Sequence, residues 1–169
     1  TTLALGAFSL AFAQTQRMVL VEEYTQASCG PCAAQNPALN ALLANNTNKV
    51  VSLKYQVSWP GVDPMNAQNP SEVATRVSYY NVTSVPHVKM DGSTIGAPSS
   101  LTQSVIDNRY AVPTPFDLNV THVMSSDYDS AYVTVTITAA QNYTAGATMR
   151  FRLAMVEKEI NLTTPPGSN

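Results

Sequence analysis

Two hydrophobic periods divide this chain. Up to about residue 111, short continuous apolar runs alternate with stretches of helical spacing. Met18-Val19-Leu20-Val21 opens a run toward Tyr24 that suits a strand covered on both faces. From Cys32 to Ala44 the chain is rich in Ala, Leu and Gln, with Leu39, Leu42 and Leu43 on one helical stripe. Pro37 kinks that helix without forbidding it. Val50 to Val57 reads as a second strand. Ser58 to Asn69 carries Trp59, Pro60, Gly61 and Pro64 and reads as an irregular insertion. Pro70 and Ser71 start a helix through Tyr79, with proline in the first turn, where it is tolerated. Val85-Pro86-His87-Val88-Lys89-Met90 is a third strand closed by the turn pair Asp91-Gly92, and Ser99 to Tyr110 a last helix. Pro113 and Pro115 then mark a boundary.

Beyond that boundary the period is two. Phe116, Leu118 and Val120 alternate with polar residues, as do Ala131, Val133, Val135 and Ile137, and then Met149, Phe151, Leu153 and Met155. Three half-buried strands in succession predict an antiparallel, sandwich-like β-domain over residues 114–169. They are too few for a closed sandwich, so further residues or the first domain are expected to cover the open face.

The composition is of a kind common in exported proteins. Its 169 residues hold one full domain and part of another, and apolar residues at 44% suffice for a core. Charged residues are only 12%, about half the usual share, with Ser, Thr and Asn supplying the polarity. A net charge of -2 offers no electrostatic case for nucleic acid. Residues 1–13 are apolar and uncharged and end in Ala11-Phe12-Ala13, the small-x-small pattern of a signal-peptide cleavage site. They read as a signal-peptide remnant rather than an N-terminal helix, and Thr163 to Asn169 as the middle of a loop. The expectation is an exported protein, periplasmic or associated with the outer membrane or cell surface, in a compartment where disulfides persist.

The candidate chemistry lies in Cys29-Gly30-Pro31-Cys32, which holds the chain's two cysteines. An isolated C-x-x-C after an apolar strand and before a helix reads as a redox-active dithiol. A helix N-terminus there favours a thiolate. Cys29 is then the nucleophile, and Cys32, one turn further in, the thiol that resolves a mixed disulfide. The plainer reading is a structural thiol pair. A zinc site needs two more ligands, and His87 and His122 lack the spacing, so no metal and no cofactor is assigned. Trp59 suits either a substrate contact or a local hydrophobic plug. Ser125 to Asp129 reads as a hairpin loop.

Over residues 17–111 the chain resembles the thioredoxin-like superfamily, and its layout is similar to the thioredoxin-fold outer-membrane-associated proteins of Gram-negative bacteria. Cys29-Gly30-Pro31-Cys32 reproduces the tetrapeptide, with Ser28 in place of the usual Trp. Pro37 falls five residues after the second cysteine, Glu23 six before the first, and Tyr80-Asn81-Val82-Thr83-Ser84-Val85-Pro86 looks like the segment before a cis-proline. The resemblance implies an α/β thioredoxin fold, a central mixed sheet flanked by helices. It implies that Pro86 is cis against the dithiol, that Val85 pairs with an extended substrate, and that Gly30 and Pro31 share that contact. Glu23, buried with a raised pKa, would take the proton of Cys32. Because Glu22 and Glu23 alternate in facing, one of the two is open to simple solvation.

The expected function is an exported thiol–disulfide oxidoreductase, with reductase or isomerase favoured. Its partners would be exported proteins carrying disulfides or dithiols, and a redox partner protein. The rival is a non-catalytic surface binding or adhesion protein that uses the same fold as scaffold.

Overall fold

The computed structural model describes residues 15–144, 146, 148–157 and 160. The expected signal-peptide remnant and the loop from Thr163 lie outside them. The described chain separates into two units, one of residues 18–111 with the segment from Arg152, the other of residues 112–151 with the segment up to Arg17.

In the first unit, β1 (Val19–Thr25) leads through a short loop into α1 (Gly30–Ala44), which returns the chain to β2 (Val50–Gln56). The 3-10 turn Asn66–Gln68 and α2 (Pro70–Tyr80) follow, then β3 (His87–Met90), β4 (Ser93–Gly96) and α3 (Gln103–Tyr110). The sheet order is β2-β1-β3-β4, with β1 and β2 parallel and the other pairs antiparallel. β1 is a central strand, and six of its seven residues are buried. On one face Val19 and Val21 join Leu39, Val50, Val88, Met90, Leu101 and Ile106, which brings in α1 and α3. On the other, Tyr24, Val57 and Val82 pack with Trp59, Val73, Val77 and Tyr80, which brings in α2. Trp59 is therefore, at least in part, a hydrophobic plug.

Covering both faces buries both carboxylates of β1, so neither glutamate is simply solvated. Glu22, fully buried, faces α2 and accepts from Arg76 Nε at 2.7 Å and from the Tyr80 hydroxyl at 2.8 Å. The Arg76 guanidinium lies over the Tyr80 ring, 4.6 Å from its centroid. A buried anion needs this kind of multiple pairing to remain in a dry layer.

Three elements differ from the sequence pattern. β3 begins at His87 rather than Val85, since Pro86 has no N–H to give a ladder. β4 is added because Asp91 and Gly92 both take positive φ (45° and 82°), which turns the chain straight back against β3. The last helix is broken. Pro98–Ser100 forms a 3-10 turn, Leu101 runs extended into the core, and Thr102 caps α3 by accepting from Val105 N.

The second unit is a hairpin of β5 (Phe116–Met124) and β6 (Ala131–Ala139), paired from Phe116↔Ala139 to Met124↔Ala131. Thr15 bridges Thr114, and Arg17 donates to the carbonyl oxygens of Val112 and Pro113. The Ser125–Ser130 loop is tied by Ser125 Oγ, which donates to the carboxylates of Asp127 and Asp129. The strands are not half-buried. Leu118 and Val120 are each 55% exposed and Ile137 49%. The third strand expected over Met149 to Met155 does not form. A two-stranded ribbon exposed on both faces offers a further strand no buried surface, and hairpins of that size are marginal by themselves.

The Glu22–Arg76 pair yields a stability prediction. Arg76→Leu leaves a buried carboxylate without its cation and should destabilise the protein by about 3–5 kcal/mol in urea unfolding. Adding Glu22→Gln should recover most of that loss. A cost below about 1 kcal/mol for Arg76→Leu would show that the pair holds nothing together.

Candidate active site

The site begins where β1 leaves the sheet. Gln26 to Ser28 form a tight loop, and Cys29 caps the N-terminus of α1 in extended conformation (φ -83°, ψ 109°). Cys29 Sγ accepts from the backbone N–H of Cys32 at 3.1 Å, and Cys29 N donates to the Gln26 carbonyl at 3.1 Å. Pro31 stands in the first turn of the helix, where its missing N–H costs nothing. Cys29 and Cys32 are joined in a disulfide, with Cys29 4% exposed and Cys32 fully buried. In the reduced state the same cap position places a Cys29 thiolate among free helix N–H groups at the positive end of the α1 dipole.

Val85 and Pro86 come from the loop before β3. Their peptide bond is cis, and the Val85 carbonyl oxygen lies 3.8 Å from Cys29 Sγ. Gly30 and Pro31 are exposed, and a Cβ at Gly30 would meet nothing within 4 Å. Cys29, Cys32, Gly30, Pro31, Val85 and Pro86 thus belong to one place in the fold. The peptide bond between Trp59 and Pro60 is also cis, which the sequence pattern did not reveal.

Glu23 sits on the β1 face turned toward α1 and is 1% exposed. Its charged neighbour among the described residues is Lys54, directly across the parallel ladder on β2, with Nζ 3.3 Å from Oε2. Neither carboxylate oxygen gains a well-aligned hydrogen bond. Lys54 Nζ instead donates to Asn40 Oδ1 of α1 at 3.1 Å. Burial therefore pushes the Glu23 pKa up, and the Lys54 ammonium offsets only part of that. A cavity of about 230 Å³, lined by Glu23, Asn40, Leu43, Lys54 and neighbours, is roomy enough for water beside the carboxyl.

Other site residues carried no sequence motif. Asn36, one turn after Cys32, is fully buried and donates to Thr25 Oγ1 at 2.9 Å. Asp63 of the insertion accepts from Ala27 N, two residues before Cys29, at 2.8 Å. The one available signal was Asp63-Pro64, a common turn start. His87 is half-buried, and burial pushes its pKa down, helped by Lys89. His122 lies on β5 in the other unit. Among the described residues no three His, Cys, Asp or Glu side chains gather where they could hold a metal ion.

Among solved structures, the chain is similar to HBP35 of Porphyromonas gingivalis, with a TM-score of 0.57 and 16% identity. That match covers 74% of this chain and 43% of the other, so the chain spans less than half of that structure's length. No family model matches the chain, and no curated protein matches it. At this identity the likeness is one of fold. A four-stranded mixed sheet with three helices, followed by a separate two-stranded antiparallel sheet, is compatible with a thioredoxin-like fold and an added β-unit. Among the described residues no helix is long and apolar enough to cross a membrane.

Glu23 makes stability depend on pH with a definite sign. A carboxyl whose folded pKa lies above its unfolded value of 4.5 binds protons more tightly in the native state. Its burial is therefore least costly below about pH 4.5, and the cost grows as pH rises from there through the raised value. Glu23→Gln should raise Tm at pH 7, and the gain should shrink toward zero as pH falls to 4. A gain independent of pH, or a loss at pH 7, would contradict a raised pKa.

Proposed function

We propose that this chain is an exported thiol–disulfide oxidoreductase working as a reductase or isomerase, with Cys29 as nucleophile and Cys32 as resolving thiol. The observation that carries the reading is the Cys29–Cys32 disulfide at the N-terminus of α1, 3.8 Å from the carbonyl that precedes Pro86. In the reduced protein the Cys29 thiolate attacks one sulfur of a substrate disulfide and releases the other as a thiolate. The Cys32 thiol gives its proton to Glu23, attacks Cys29 Sγ as the thiolate and expels the second substrate sulfur as a thiolate, which takes its proton from Glu23 or water. Two electrons pass to the substrate, and the protein is left with the disulfide. A redox partner protein then returns it to the dithiol. Val85 offers its backbone to an extended substrate, with Pro86, Gly30 and Pro31 as further contacts.

The substrates on this reading are other exported proteins that carry disulfides, and the place of action is the periplasm or the outer membrane. A second reading, a surface binding protein built on the same scaffold, draws on the exposed apolar side of the β5–β6 hairpin.

Three variants separate the readings. The wild type should reduce insulin, and Cys32→Ser should accumulate mixed disulfides with exported proteins, visible on non-reducing gels and absent from Cys29→Ser. Glu23→Gln should slow release of a preformed mixed disulfide by roughly 10- to 100-fold, at or below the low end of what a positioned proton acceptor contributes. No insulin reduction together with no trapped species would favour the binding reading.

A further inference from the structure

The insertion between β2 and α2 is tied down beside the nucleophile, and its tip carries one exposed aliphatic side chain. Asp63, 4% exposed, accepts from Ala27 N at 2.8 Å with one carboxylate oxygen. With the other it accepts from Met65 N at 2.8 Å and Asn66 N at 3.1 Å. Asn66 Nδ2 in turn donates to the Gln56 carbonyl at the end of β2 at 2.7 Å. Gln26 Nε2 donates to the Val62 carbonyl at 3.0 Å, while its Oε1 accepts from both N and Oγ of Ser28 at 2.7 Å. Gly61 lies so close to Ser28 that a Cβ there would run into Ser28 Oγ. The tip is thus fastened to residues 26–28, the three that precede Cys29.

On this anchored tip Val62 is 87% exposed, in the uncharged segment Trp59-Pro60-Gly61-Val62. A chain held in a mixed disulfide has its cysteine Cα roughly 4.4–6.8 Å from that of Cys29, with the neighbouring Cα about 3.8 Å further on. Gly61, the residue before Val62, lies against Ser28, the residue before Cys29, so the insertion tip and the nucleophile are neighbours. We propose that Val62 is a specificity-determining residue, an apolar wall that receives an aliphatic side chain next to the substrate cysteine. The proposal rests on the oxidoreductase reading and adds to it the substrate class: disulfides whose cysteines have apolar neighbours. Its physical basis is apolar area removed from water in the complex, set on a preorganised backbone.

The test uses three disulfides and the reduced full chain: 5,5′-dithiobis(2-nitrobenzoate), a disulfide-linked pair of Leu-Cys-Leu peptides, and the same pair with Ser in place of Leu. The wild type should show kcat/KM roughly tenfold higher for the Leu-flanked pair, the size expected for burying one aliphatic side chain. Val62→Ser should bring the two peptides to parity, Val62→Ile should keep the preference, and neither should change the rate with the small aromatic disulfide by more than about twofold. Val62 is too exposed for either variant to threaten folding. A preference that survives Val62→Ser, or no preference in the wild type, would overturn the proposal. If the wild type reduces none of the three, the oxidoreductase reading itself fails and the proposal falls with it.

Discussion

The constraint that organises this molecule is the burial of β1 on both faces. A central strand between two helical layers keeps almost no side chain in water, so its buried residues should be apolar or satisfied. Val19 and Val21 meet that demand by packing, while Tyr24 packs its ring against Tyr55 and leaves its hydroxyl without a hydrogen-bond partner. Glu22 meets it through Arg76 and the Tyr80 hydroxyl of α2, and Glu23 meets it only in part, through the Lys54 ammonium of β2. The same strand delivers the chain to Gln26, and the turn that follows makes Cys29 the cap of α1. The placing of the dithiol is therefore a consequence of how the core closes.

The two adjacent carboxylates are held very differently. Both oxygens of Glu22 are hydrogen-bonded, one to a guanidinium and one to a phenol, and burial and that bond push the Tyr80 hydroxyl up to about 12. Glu23 has a single ammonium, itself about one-third exposed, at 3.3 Å without aligned hydrogen bonds. A carboxylate as fully paired as Glu22 joins α2 to the sheet. A carboxyl as underpaired as Glu23 is poised to hold a proton, and it lies on the face of β1 that packs against the helix carrying Cys32. Environment separates the two, since sequence position and residue type do not.

Much of this was legible along the chain because it depended on local chemistry. The continuous apolar run of β1, the Cys29-Gly30-Pro31-Cys32 turn into a helix, and Pro86 before an apolar strand are each signalled within a few residues. What stayed hidden depends on register or on distant partners. Lys54 faces Glu23 only because β1 and β2 pair in one register. Asp63 reaches Ala27 across 36 residues, through a loop whose composition says only that it is irregular. β4 is four residues with a single aliphatic side chain, and the Asp91-Gly92 turn creates it. The alternation over Met149 to Met155 predicted a strand, yet alternation marks a face that can be buried and supplies nothing to bury it.

The central claim is that Cys29 and Cys32 form a working, reversible couple, and the reduction potential tests it most directly. The protein would be equilibrated against glutathione and dithiothreitol buffers and the thiols counted by alkylation and mass spectrometry. A reversible two-electron transition between about -270 and -200 mV, the range of thioredoxin-type reductants and glutaredoxins, is the expected result. A pair that stays oxidised below about -300 mV would be a structural disulfide, and one above about -150 mV would be a disulfide donor. The first result would contradict the redox assignment, and the second its direction.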